Sequence, residues 1–468
     1  MQYKQRGKNY GNKTARLAYI CARMRLRTTY RQILAISTPI MLGSAAQNVI
    51  ALSDSVFLFH LSQEDFASIG FVGIFYLVVA AIGYGFSRGG QIIIARRMGE
   101  GKLKEVGRAF YSMVYFEAGL AAVMFLFMQY GCNWFFSLIV DSPIVFSKSL
   151  EYLETRSWGV FFSYIGVSII ALYTGVARTT FIIVDTIVLG AVNIALDYAL
   201  IFGKWGLPAM GIAGAGLAST IAEVVAFIVF AVYIAFDKPA RRYHLFKLPR
   251  IDLKLIRQQY GLSAPIVAQA FVGLGSWFVF FGIVENLGEH ELAITNLVRI
   301  VYLVLSIPTW GFASGVNTMV SNFIGQRKRQ AVIPIIWKTA KLSFATTMLI
   351  TIPVILFPHS ILYPLLGGED MSIITDAQPV FYVLAIILAL FSIVGIYFNG
   401  MAGTGATFYG LLMQAVCAVF YLAYIYVEVN HTHGGLIWAW AAEIFYWAIM
   451  QAMVMWYLRS RNWHRLEV

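Results

Sequence analysis

Two of the chain's acidic residues stand where an aspartate is costly. Asp54 lies about 21 residues into an apolar run over 33–60, and Asp197 about 17 residues into another over 180–203. A charge at the centre of a bilayer helix costs about 2.5–3.5 kcal/mol on insertion scales, so an acid kept there is a candidate for function. Asn193 precedes Asp197 by four residues and shares its helix face. Ser219 and Thr220 fall early in the run 210–236, at similar depth. Two carboxylates, an amide oxygen and hydroxyls at one level make an oxygen-rich nest for a hard cation or a proton. Neighbouring carboxylates also resist ionising together, which suits proton exchange. The competing reading is a polar network that ties helices to one another.

Other intramembrane charges are Glu117, Asp185, Glu223, Glu443, Arg88 and Arg299. Gln47, Glu223, Gln269 and Arg88 are candidate polar residues of a central cavity, Arg88 either neutralising an acid or facing an inner vestibule. Glu117, Asp185 and Glu443 read as structural, interfacial or base-paired, and Arg299 as a side chain that snorkels to the outer surface. Pro39, fifteen residues before Asp54, removes one helical hydrogen bond and permits a hinge. The seven histidines sit at helix ends or in connections, and none forms HExxH. No nucleophile elbow or P-loop is present. Cys21, Cys132 and Cys417 have no CxxC spacing and support neither a disulfide framework nor a zinc site. The chain does not read as an enzyme, and no cofactor is expected.

The elements that must position these residues follow from composition. Of 468 residues, 59% are apolar and 12% charged, against about 25% charged in a soluble domain. The mean hydropathy is +0.71. A soluble enzyme, nucleic-acid-binding domain or disordered scaffold could not carry this apolar excess. The runs are long and unbroken rather than alternating, which argues for helices over an outer-membrane barrel. Twelve spans are expected, over 33–60, 68–95, 108–130, 155–177, 180–203, 210–236, 260–285, 293–323, 331–357, 378–400, 405–428 and 434–458. In that arrangement 29 of the 35 Lys and Arg residues fall on one side, and the opposite connections are mainly acidic. The positive-inside rule then makes both termini cytoplasmic. The net charge of +12 thus reads as topology and lipid contact, not nucleic-acid binding. The first thirty residues are basic without an apolar h-region, an anchor on anionic lipid rather than a secretory signal.

The chain also repeats itself. Ser37-Thr38-Pro39-Ile40 aligns with Ser263-Ala264-Pro265-Ile266, and Gly85, Phe86, Gly89, Gly99 and Lys102 align with Gly311, Phe312, Gly315, Gly325 and Lys328. Further on, Ala222-Glu223 aligns with Ala442-Glu443. Six spans per half is an even number, so the halves are parallel repeats with a cavity between them, an architecture that permits alternating access. The expected layout is a basic arm (1–31), a six-helix bundle (32–236), a cytoplasmic linker (237–257), a second six-helix bundle (258–458) and a tail (459–468). The fold class is an all-α polytopic membrane protein of twelve transmembrane helices in two six-helix bundles.

These residues carry a family resemblance. The run from Pro39 through Gln47 to Asp54 resembles the first-helix pattern of the multidrug and toxic compound extrusion (MATE) family. So do Gly99-Glu-Gly-Lys102, Asn193-Ile-Ala-Leu-Asp197 with Ile201-Phe-Gly203, and Gly211-Ile-Ala-Gly214-Ala-Gly-Leu-Ala-Ser219. The resemblance implies a monomeric cell-membrane antiporter that exports amphipathic, often cationic, organic compounds in exchange for H⁺ or Na⁺. It places the first-half cation site, Na⁺ included, at Asp54, Asn193 and Asp197, with Ser219 where many members have Thr, and makes Pro39 the bending proline. NorM-like members carry a glutamate in helix seven where this chain has Gly273, with Gln269 nearby. That departure argues against a second-half site of the same kind and resembles the DinF-like branch. The alternative is a flippase or exporter of lipid-linked saccharides, which should need a strongly basic cavity. A passive channel would not need carboxylates gathered in one half.

Overall fold

The computed structural model describes residues 26–366, 372–432, 434–460 and 462–466; the side chains of 46–49, 51–52, 363–366, 430 and 465 are also outside the description. Most of the basic arm, Gln47's side chain and His433 therefore lie beyond it. Among the described residues every regular element is helical. The first half contains α1 (Tyr30–Leu61), α2 (Gln63–Glu100), α3 (Leu103–Leu126), α4 (Pro143–Arg156), α5 (Gly159–Gly175), α6 (Thr180–Phe202) and α7 (Gly211–Phe236). The second contains α8 (Leu253–Glu285), α9 (Glu289–Gly325), α10 (Val332–Leu356), α11 (Pro358–Leu366), α12 (Ser372–Gly403), α13 (Thr407–Val427) and α14 (Leu436–Arg459). Ten helical segments among the described residues are long and apolar enough to cross a membrane. The pair α4–α5 makes an eleventh span, and α1, with 32 residues, completes the twelve.

Most spans extend past their hydropathic limits, because apolarity marks the bilayer-buried part while capping marks the ends. The second expected span, 68–95, is the apolar part of a 38-residue helix. That helix begins where the Ser62 hydroxyl accepts the Asp65 amide at 3.0 Å and ends at Gly101, whose φ of 76° is left-handed. The fourth expected span, 155–177, differs more. It is two helices meeting at a bend of 58°, with α5 only 17 residues long. Beyond α3 the chain passes through a π-helical turn at Phe127–Gly131 and a short helix at Cys132–Ser137.

The two bundles meet along α2 and α9, the repeat mates, toward the end that carries most of the Lys and Arg, here the basic face. A methyl group on Gly99 would run into the Asn322 carbonyl, and one on Gly325 into that of Arg96. Glycine at both positions lets two backbones touch across the pseudo-two-fold. Around this crossing Ser321 donates to the Ile92 carbonyl at 2.7 Å, Asn322 to Ala95 at 3.1 Å and Arg96 to Thr404 at 2.8 Å. Gln91 donates to the Thr318 hydroxyl at 2.8 Å. This is a conformation pinned shut at the basic face.

Candidate functional site

In α1 and α6 the sequence supplies mostly apolar residues, so these helices pack into the first bundle and carry their few polar groups inward. Asp54 and Asp197 meet there. The Asp54 carboxyl neighbours both Asp197 and Asn193. Asp197 and Asn193 are buried, and Asn193 Nδ2 donates to the Ser219 hydroxyl of α7 at 3.2 Å. Asp54 Oδ1, both carboxylate oxygens of Asp197 and Asn193 Oδ1 are buried without a donor among the described residues. A buried acceptor left without a donor costs about 1–3 kcal/mol, more when charged. Four such oxygens at one place form a site with acceptors in surplus, which a proton or a hard cation would satisfy.

The base that acts on Asp54 and Asp197 is Arg156. Arg156, however, is committed elsewhere. Its Nη1 and Nη2 donate to the two carboxylate oxygens of Glu223 at 2.8 and 2.6 Å. Its guanidinium also lies 3.9 Å from the centre of the Tyr76 ring. Three carboxylates thus draw on one guanidinium, which is bonded to Glu223 alone, and the aspartate pair is left with an uncompensated demand for positive charge. Arg156 is placed by the α4–α5 bend, which turns the end of α4 into the bundle. Arg156 is not among the residues the sequence singled out, because it falls at the edge of the span 155–177. The available signal was Glu223, a buried acid that requires a partner.

The other expected site residues divide. The hydroxyl of Thr220 donates to the Thr155 carbonyl at 3.0 Å and so fixes α4 against α7 rather than entering the oxygen nest. Pro39 lies within a continuous α1. Its missing N–H frees the Ala35 carbonyl, and the buried Thr179 hydroxyl reaches Ala35 and Ile36 carbonyls at 3.3 and 3.0 Å. Gln269 is buried between helices, donating to the Thr407 carbonyl of α13 at 2.9 Å. Arg88 is exposed and reaches Asn399 of α12. Arg299 is turned onto Phe281, 5.3 Å from the ring centre. Of Arg88 and Arg299, only Arg88 reaches from one bundle to the other among the described contacts.

The other intramembrane acids, Glu117, Asp185 and Glu443, have no base paired with them among the described residues, so the base-paired reading does not apply to them. Glu117 accepts the Ser87 hydroxyl at 2.9 Å. Glu443, the repeat mate of Glu223, accepts Trp447 Nε1 at 2.9 Å and meets Trp277 and Tyr421. Asp185 is buried with Oδ1 unsatisfied. No group of three His, Cys, Asp or Glu side chains that could hold a metal occurs among the described residues. A cation at Asp54 and Asp197 would therefore depend on neutral oxygens as well.

Comparison with known proteins agrees with this architecture. The chain matches the MatE family over residues 39–199 and again over 265–427, one match in each half. It is 27% identical over 316 residues to a probable multidrug resistance protein NorM of Synechocystis, covering 66% of this chain and 67% of that one. To a probable NorM of Thermotoga maritima it is 22% identical over 449 residues, 94% of each chain. A solved MOP superfamily transporter from Pyrococcus furiosus superposes with a TM-score of 0.83 at 18% identity, over 94% of this chain and 96% of that one, a likeness of fold alone. These curated relatives bear the NorM name, and the DinF-like reading gains no support from them.

Proposed function

Because the chain belongs to the MatE family, we propose that it is a secondary antiporter that exports organic compounds in exchange for H⁺ or Na⁺. The observation that carries the coupling role is the group of four buried, donor-less oxygens on Asp54, Asp197 and Asn193 beside an already committed Arg156. When the site opens outward, a proton or Na⁺ binds between the two carboxylates and cancels their mutual repulsion. Neutralisation permits α1 and α6 to close together, and α1 has its hinge at Pro39. Substrate leaves the cleft as the bundles rock, and return of the carrier releases the ion inside. Such coupling requires that ion and substrate favour opposite states or exclude each other.

The basic face is assigned to the cytoplasm, with both termini there and the protein multi-pass in the cell membrane. Residues 32–236 and 258–458 act as the two moving bundles, joined by 237–257, and the unit of transport is the monomer. Coupling is placed in the first half, where the acids are, and the glutamate position of helix seven is Gly273.

The test is efflux of fluorescent organic dyes, one cationic and one zwitterionic, from proteoliposomes, with Na⁺ and pH gradients imposed separately. Wild-type protein should respond to one gradient. Asp54→Asn and Asp197→Asn should each abolish the response while keeping the thermal stability of a folded protein. Flux that ignores both gradients, or gradient-driven flux preserved in both variants, would remove the assignment.

A further inference from the structure

One charge that reaches across the two bundles is not used by the coupling scheme. Arg88 lies on α2, and its neighbours Ser87, Gly89, Gly90 and Gln91 are buried while Arg88 itself is exposed. Its guanidinium crosses from the first bundle to the second, with Nη1 3.4 Å from Asn399 Oδ1 on α12. An arginine that touches the opposite bundle faces the space between them, not lipid. Asn399 is held for this contact. Its Nδ2 donates to the Gly395 carbonyl at 2.9 Å, and its own carbonyl accepts Asn317 Nδ2 at 3.3 Å. One turn further along α2, Gln91 joins Thr318 and the Ser314 carbonyl and closes the cleft toward the basic face. Arg88 therefore lies between the bundles, one turn from this closure.

This guanidinium has no acidic partner among the described residues. Tyr84, one turn away, is the titratable neighbour that acts on it, and no carboxylate among the described residues does. The nearest turn of α2 does present an acid contact, but Ser87 makes it to Glu117 within the first bundle. The repeat mate of Arg88 is Ser314, so the charge is confined to one half of an otherwise parallel pair of helices. Arginine stays protonated and presents a planar fork of donors suited to two acceptor oxygens. Here that fork makes one long contact to a neutral amide. A cation entering the cleft would be repelled by it, whereas a carboxylate would find the counter-charge and the second donor geometry it needs.

We propose that Arg88, backed by Asn399, is a specificity residue that binds the carboxylate, or a similar oxyanion, of an amphipathic substrate. The preferred cargo is then zwitterionic or anionic rather than purely cationic. This rests on the exporter reading but not on the coupling site, and its test uses equilibrium binding with no ion gradient.

The probes are rhodamine 110, which carries a free carboxylate, and rhodamine 123, its methyl ester. Binding of each to the purified full-length protein is read by fluorescence anisotropy. Wild-type protein should bind the carboxylate dye more tightly than the ester. Arg88→Gln should weaken the carboxylate dye at least about tenfold, the scale of a lost charge-assisted bond, and leave the ester within about twofold. Arg88→Lys should recover part of the loss, since it keeps the charge without the fork. Equal loss for both dyes would mean a structural role and overturn the proposal. So would an Arg88→Gln protein with unchanged affinities, or a wild-type protein that binds both dyes alike or neither. Loss of coupling in Asp54→Asn with this preference intact would separate the two readings.

Discussion

Replacing Arg156 by Met tests how charge is balanced around the aspartate pair. The Arg156 and Glu223 side chains are only 7% and 15% exposed, so their two-bond ion pair is largely withdrawn from water. Met preserves the aliphatic stem and removes the charge. Glu223 is then a carboxylate with no base, in a bundle that holds two further acids, and breaking a buried pair in this way costs about 3–5 kcal/mol. Glu223→Gln is the milder change. Arg156 keeps the Tyr76 face at 3.9 Å and the field of Asp54 and Asp197, so its cost should be less than half as large. In the double variant Glu223 is no longer stranded and only the field of Arg156 on Asp54 and Asp197 is lost, so its stability should fall between those of the two single variants. Thermal unfolding in detergent reads these differences. At about 2–4 °C per kcal/mol for a unit of 150–250 residues, Arg156→Met should lower the midpoint by roughly 6–20 °C. Equal losses from the two single variants, or a double variant as poor as their sum, would refute the three-acids-one-base arrangement.

Thr179→Val should destabilise by about 1–3 kcal/mol, because the Ala35 and Ile36 carbonyls lose their donor at the proline; in a Pro39→Ala background, where the helix supplies its own N–H to Ala35, the same thermal assay should show a smaller loss. Gly99→Ala should hold the basic face apart, since its methyl group meets the Asn322 carbonyl, and spin labels at Lys102 and Lys328 should report a longer distance than in the parent. Glu443→Gln should leave ion-driven efflux in place, because the Glu443 carboxyl is already served by Trp447, Trp277 and Tyr421 in the second half; efflux that stops responding to its gradient would move coupling there.

Hydropathy located the spans because each helix must hide its backbone from lipid, and that demand is written in consecutive residues. It could not locate their ends, which depend on caps such as Ser62 and on polar turns outside the bilayer. The meeting of Asp54 with Asp197 was legible from two things alone: helix rise, which sets depth, and the i, i+4 spacing of Asn193, which sets the face. The role of Thr220 was not, because a hydroxyl at the right depth can turn to a neighbouring backbone carbonyl instead of into the site. Arg156 escaped notice for a related reason. A 58° bend between α4 and α5 moves a residue from the edge of a span to the centre of a charge cluster, and no hydropathy window reports an angle. Arg88 was visible as an intramembrane charge, but its direction depends on how two bundles sit against each other, which repeats within one chain do not specify.

The most direct measurement runs the exchange backwards. Proteoliposomes loaded with substrate, without any ion gradient, are diluted into substrate-free medium while a pH dye and a Na⁺ tracer follow the ions. Outward substrate flow through wild-type protein should draw one of these ions inward against no imposed force, and the Asp197→Asn protein should show no such movement. Ion uptake by Asp197→Asn equal to wild type, or substrate flow through wild type that moves neither ion, would contradict the account.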